Sequence, residues 1–191
     1  LGRPFHRLTY GTINTISLRM FDYHIGVSDA MVQLLISRGF NPQKLFSIYN
    51  GVAFPPEKPS LSRGEYLESL GVSYDEDTVV FGIAARLNPV KDIATLIRGF
   101  AGACRKCPNI RLVIAGDGEE RQMLESLAKE TCPAGSVVFA GWVKDTDSFY
   151  HAIDVNMLTS LSEGSPYALV EGARMRCATI ATSVGGIPYM M

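Results

Sequence analysis

A doubly wound α/β domain, its parallel sheet covered by helices on both faces, is the fold this sequence predicts. Three observations carry that expectation. Beyond residue 60, short apolar runs alternate with helical patterns; the runs are nearly continuous rather than polar and apolar by turns; and the connections are short. Of the 191 residues 47% are hydrophobic, enough to bury a sizeable core.

Taken in order, residues 5–22 place Leu8, Ile13, Ile16, Leu18, Met20 and Phe21 where a helix would carry them on one side. A short strand over 23–27 follows, then a helix capped by Ser28 that runs to Arg38 and stops at Gly39. Residues 45–49 read as a second strand, closed by the turn pair Asn50-Gly51. The three prolines of Pro55-Pro56-Glu57-Lys58-Pro59-Ser60 suit neither a helix interior nor a central strand. A domain boundary is placed there, with residues 1–52 before it, a linker over 53–60 and a larger unit over 61–191. That unit reads as helix 63–70, strand 78–84, helix 92–106, strand 111–115, helix 119–129 and strand 136–139. Helix 146–152, strand 155–159, a further helix and strand 179–182 complete it. Ser165 is the expected N-cap of that further helix, with Pro166 in its first turn.

A net charge of −1 offers no footprint for nucleic acid and no basic face for a membrane. No apolar run approaches the roughly 18 residues of a spanning helix. Four cysteines without framework spacing point to a reduced, cytoplasmic setting. The chain opens at Leu1 and shows no signal-peptide pattern, so it reads as a fragment of a longer protein. Cys104 and Cys107 form a single CxxC at a helix end, with no second pair to complete a zinc site. Asp75-Glu76-Asp77 and Asp145-Thr146-Asp147 have DxD spacing, but one precedes a strand and the other opens a helix. Turn and N-cap roles are expected for them, and no metal.

Ligands of such sheets bind at the carboxyl ends of strands, so the loops after Ala85, Ala115, Phe139, Thr159 and Thr182 matter most. The first carries Arg86 and Lys91, a planar fork and a point charge that together suit a diphosphate; two solvated cations are the alternative. Gly116-Asp117-Gly118 reads as a tight turn, because Arg121 stands where a dinucleotide fingerprint needs its third glycine. The fourth loop holds Glu163, and the helix after it holds Glu171. Between these acids, the N–H groups of the helix start form an anion site, an arrangement that suits a sugar nucleotide. Gly185 and Gly186 in the last loop let backbone approach a ligand closely, or form a plain turn.

In their order and spacing these motifs resemble glycosyltransferase family 4: Arg86 to Lys91, Gly116-Asp117-Gly118, Val138-Phe139-Ala140-Gly141, Glu163 and Glu171 with seven residues between them, and Gly185-Gly186. Val27-Ser28-Asp29 and Ile48-Tyr49-Asn50-Gly51-Val52 resemble that family's approach to its interdomain linker. The resemblance spans residues 24–188. It implies a GT-B fold of two Rossmann-like domains around a cleft, of which this chain would hold the C-terminal half, truncated at both ends. Residues 1–52 would be the remnant of the acceptor-side domain, and 61–191 an incomplete donor-binding domain.

The same resemblance implies transfer of a sugar from a nucleotide-diphosphate sugar, by front-face attack with retention of anomeric configuration. Arg86 and Lys91 would neutralise the leaving diphosphate. Glu163 would contact the donor sugar, and Glu171 the ribose hydroxyls. Backbone at Gly164, Ser165, Ala168 and Leu169 would hold sugar and phosphate. Trp142 would touch the base, or anchor its own loop. His6, His24 and His151 match no residue near the reacting carbon. No cofactor or metal is implied. The partners are the nucleotide sugar and an acceptor saccharide or lipid-linked saccharide held by the N-terminal domain this chain lacks; peripheral membrane association and dimerisation stay open. The chain alone is expected to bind a nucleoside diphosphate and transfer no sugar. Two other classes remain open: a GT-B-shaped nucleotide-sugar epimerase, and a non-catalytic nucleotide- or partner-binding domain.

Overall fold

Two parallel sheets organise the chain in the computed structural model, which describes residues 16–54 and 58–191. Most of the helix expected over 5–22, and Pro55-Pro56-Glu57 of the linker, lie outside the described residues. The smaller sheet pairs β1 (His24–Gly26) with β2 (Leu45–Ser47), and α1 (Asp29–Ser37) crosses between them. Ser28 caps α1 by accepting from the Met31 N–H, and Leu35, Phe40 and Leu45 form the core beneath.

The larger sheet contains β3 (Val79–Ala84), β4 (Ile110–Ala115), β5 (Val137–Gly141), β6 (Val155–Leu158) and β7 (Ala178–Ala181). Its order is β5-β4-β3-β6-β7, with every neighbouring pair parallel. Between these strands run α3 (Ile93–Cys104), α4 (Arg121–Thr131), α5 (Thr146–Ala152) and α6 (Tyr167–Arg174), while α2 (Arg63–Ser69) precedes β3. This is the doubly wound, Rossmann-like α/β architecture.

Alternation along the strands explains why both faces are covered. Leu112 and Ile114 of β4 join the core under α3 and α4, while Val113 and Ala115 join the one under α2 and α5. On α3 the buried positions are Ile93, Leu96, Ile97, Phe100, Ala101 and Cys104, the three-and-four spacing of one helix face. Each large aliphatic or aromatic side chain so buried stabilises the fold by about 1.5–3 kcal/mol.

Two local readings are corrected. The helix expected from Asp92 begins at Ile93: Pro89–Lys91 forms a 3-10 turn capped by Asn88, and Asp92 takes a left-handed φ of 45° to leave it. Ser165 does not cap α6. Pro166 holds the N-cap position and its ring has no acceptor to offer, while the Ser165 hydroxyl is engaged elsewhere, accepting from the Asn50 N–H and donating to Met190 Sδ. Asp145 does cap α5, accepting from the Ser148 N–H, and Asp75 accepts from Asp77 N–H in the turn before β3.

Candidate functional site

Chain order along the larger sheet reverses between β3 and β6, and at such a switch point two crossovers diverge and leave a crevice at the carboxyl ends of the strands. Here the two loops are stitched together. Leu161 N–H donates to Val90 O at 2.8 Å, and the Thr159 hydroxyl donates to Lys91 O at 3.0 Å. Across the same seam, Lys91 Nζ lies 2.5 Å from Glu163 Oε1, which also accepts from the Ser160 hydroxyl at 2.6 Å. The Glu163 side chain is only 10% exposed. A carboxylate so withdrawn from water is stable only while its partners stay, and removing one partner of a buried pair typically costs about 3–5 kcal/mol.

The last loop locks this arrangement from behind. A Cβ on Gly185 (φ 55°) would fall 1.8 Å from Glu163 O, and one on Gly186 would fall 1.8 Å from Gly164 O. Gly186 N–H donates to Glu163 O at 3.1 Å. In this structure the close approach these glycines permit is to the backbone of the acid-bearing loop itself.

Immediately beyond lies the start of α6. Leu169 N–H donates to Pro166 O, and the Leu169 side chain belongs to the core with Leu158 and Ile187. Among the described residues, the N–H groups of Gly164, Ser165, Tyr167 and Ala168 meet no protein acceptor. Together they form a patch of positive potential at the amino end of the helix. Glu171 lies one turn on, where burial pushes its carboxyl above the usual carboxylate range, partly offset by the Tyr150 hydroxyl. Burial, and then the charge of Glu171, raise the Tyr150 phenol in turn.

Arg86 is placed differently from Lys91. It stands at the other end of the same crossover, its side chain 72% exposed and 3.6 Å from Glu119. It lines a cleft of about 260 Å³ with Ala84, Ala85, Gly116, Trp142 and Val143. The structure thus gathers Lys91, Glu163, Gly185 and Gly186 into one contact set, and puts Arg86 with Trp142 in a cleft at the ends of β3 and β4. Glu171 joins neither set by a direct bond. Two participants were not singled out from sequence: Ser160, whose hydroxyl orients Glu163, and Asn50, which binds Ser165. A polar residue in a strand-end loop that is 2% exposed, as Ser160 is, must have a partner, but only the fold names it. Among the described residues, no group of three or more His, Cys, Asp and Glu could hold a metal ion, and no helix is long and apolar enough to cross a membrane.

A family model described as "Glycosyl transferases group 1" matches residues 71–191. The GPI3 component of phosphatidylinositol N-acetylglucosaminyltransferase from Saccharomyces cerevisiae is 29% identical over 204 residues, covering 98% of this chain and 42% of that protein. The uncharacterized glycosyltransferase MJ1607 of Methanocaldococcus jannaschii is 33% identical over 171 residues, covering 85% and 43%. The chain spans well under half the length of the curated relatives it matches. Among solved structures, Anabaena Alr3699/HepE in complex with UDP-glucose superposes with a TM-score of 0.76 at 24% identity, over 89% of this chain and 47% of that one. The C-terminal domain of a glycosyl transferase group 1 family protein (LpcC) from Francisella tularensis gives 0.59 at 23% identity, covering 72% and 71%. These structural likenesses speak for the fold, that of one half of a GT-B glycosyltransferase.

Proposed function

The chain belongs to the glycosyl transferases group 1 family, and from that premise we propose that it is the donor-binding half of a retaining glycosyltransferase of family 4. The whole enzyme would move a hexosyl group from a nucleotide-diphosphate sugar to a saccharide or lipid-linked saccharide. One observation carries the reading: at the switch point, a lysine and a buried carboxylate sit beside a helix start whose N–H groups have no protein acceptor. A diphosphate fits that deficit. Its oxygens accept from the N–H groups of Tyr167 and Ala168, and Lys91 neutralises the charge that grows on the leaving group.

Each remaining residue then has a task. Glu163, released in part by Lys91 as the phosphate arrives, accepts from a donor-sugar hydroxyl while Ser160 keeps it aimed. Glu171 accepts from the ribose hydroxyls. Arg86 adds a second cation, and the base lies in the cleft beside Trp142. The reading needs no cofactor and no metal, and it puts the enzyme in the cytoplasm with its acceptor on a second domain, free to associate peripherally with a membrane or to dimerise. The domain division follows: residues 1–52 with the acceptor side, 53–60 as linker, 61–191 as donor domain. The isolated chain binds the nucleotide and transfers no sugar.

The Anabaena protein was crystallised with UDP-glucose, so UDP is the first probe, with GDP and ADP beside it. Calorimetric titration should show one of the three binding, with an affinity reduced by Arg86→Ala and by Lys91→Met. Failure of all three to bind would remove the donor reading. Turnover of a sugar nucleotide by the chain alone would remove the claim of inactivity.

A further inference from the structure

The seam between the two sheets contains a contact that the donor reading does not use. Asn50 ends the segment after β2, and Ser165 lies 115 positions later, just before α6. The Asn50 carboxamide donates through Nδ2 to Ser165 O at 2.7 Å, and the Asn50 N–H donates to the Ser165 hydroxyl at 3.4 Å. Ser165 is 7% exposed. Its carbonyl precedes the first carbonyl that α6 uses, the Pro166 O that accepts from Leu169 N–H. Without Asn50 that carbonyl would be a buried acceptor with no helical donor, a state that backbone groups avoid by rotating.

What would rotate is the stretch that matters. The peptide carrying Ser165 O is followed directly by Pro166 and by the N–H groups of Tyr167 and Ala168. No side chain caps α6, so the peptides at its start are held by contacts from elsewhere in the fold: Asn50 at Ser165 O, and Asn156 and Tyr150 at Ala168 O. The neighbouring turn adds a second wall: a Cβ on Gly164 would sit 3.2 Å from Val27 Cγ2, and one on Gly186 would sit 2.9 Å from the Ser28 side chain. Arg174, at the far end of α6, donates to Ala53 O. Both ends of α6 are therefore tied to the segment that leaves the smaller sheet.

We propose that Asn50 is a positioning residue for donor binding: its carboxamide fixes the Ser165 carbonyl and so aims the N–H groups at the start of α6 towards the donor's diphosphate. The inference rests on the donor reading above. It makes the smaller unit part of the phosphate site without touching the ligand, so that displacement of residues 24–54 alters donor affinity.

The test compares UDP with uridine, which lacks phosphates, on the 191-residue chain and its variants, by calorimetry with thermal melts alongside. Asn50→Ala should weaken UDP by about tenfold and leave uridine within about twofold. Asn50→Asp keeps the size but points an acceptor at Ser165 O, and should weaken UDP at least as much. Ser165→Ala keeps the carboxamide bond and should have the smallest effect. Lys91→Met serves as the control for the donor reading. Retained UDP affinity in both Asn50 variants, with Lys91→Met defective, overturns the inference and leaves the donor reading standing. Equal losses of UDP and uridine overturn it too, because they report a general loosening of the fold. A wild-type chain that ignores UDP, or a Lys91→Met variant that binds it normally, brings down the donor reading and this inference together.

Discussion

At the amino end of the five-stranded sheet, Arg63 grips both carboxylate oxygens of Asp154 at 2.8 and 2.9 Å and also donates to Ala152 O and Thr78 O. Asp154 accepts from Val80 N–H as well, and Asp75 is held below the usual carboxylate range by Asn109 and Thr78. This end has the larger opening, a groove of about 780 Å³ lined by Arg63, Glu68, Asp75, Glu76, Asp77 and Asp154. At the carboxyl end the cleft beside Arg86 and Trp142 measures about 260 Å³; outside it, the same end holds the Lys91–Glu163 pair and the α6 N–H groups that, among the described residues, meet no protein acceptor. Size of an opening and capacity to bind are thus separate properties. At the amino end Arg63 and Asp154 engage each other and the backbone of β3; at the carboxyl end the N–H groups at the start of α6 keep hydrogen-bonding capacity without a protein partner.

The contrast is broken or sharpened by five substitutions. The largest effect is expected from Lys91→Met, which should cost UDP binding about 2–3 kcal/mol and leave Glu163 buried without its cation, lowering stability by about 3 kcal/mol. The double variant Lys91→Met with Glu163→Gln should recover most of that stability in urea titrations while binding stays lost. Next, Gly186→Ala drives a methyl group into Gly164 O and should destabilise by about 2 kcal/mol, with UDP affinity falling because the acid-bearing loop shifts. Arg63→Ala should also cost about 2 kcal/mol of stability, through loss of a bidentate pair that is partly exposed. Its UDP affinity, measured where the variant is folded, should match wild type; a deficit comparable to that of Lys91→Met would erase the distinction between the two ends.

The smallest effect concerns pH. Burial raises the Glu171 carboxyl in the folded chain, so the folded state holds that proton more tightly than the unfolded state does. Stability is then lost as pH rises from the unfolded value to the folded one, and the penalty persists above both. Glu171→Gln removes it. The variant should melt above wild type at pH 7, and the difference should close below about pH 4, while UDP binding weakens. A melting difference that is constant across that range would show that Glu171 is not held at a stability cost for function.

Much of this molecule is written locally. The apolar runs that become β3 and β4 are nearly continuous because each strand is covered on both faces, and a run of that kind is recognisable without knowing its neighbours. The turn roles of Asp75 and Asp145 are equally local, since Asp77, Thr78 and Ser148 donate to them from within three residues, although Asp75 also accepts from Asn109, 34 positions on. The candidate site was legible in its chemistry, with Lys91, Glu163, Gly185 and Gly186 all named from the loops that bear them. Its internal connections were not. Nothing near Lys91 in the chain announces a bond to a residue 72 positions away, and Ser165 has every local mark of an N-cap.

Sequence alone therefore determined the order of elements, the parallel sheet and the loops that carry charge, because hydrophobic period and turn chemistry act over a few residues. Tertiary structure decided which partner each polar group takes. Ser165 could bond forward into its own helix or across to Asn50, and Glu163 could face solvent or Lys91. Such choices differ by about 1 kcal/mol locally. They are settled only when packing removes water from one of the two arrangements, and that depends on segments the local sequence cannot see.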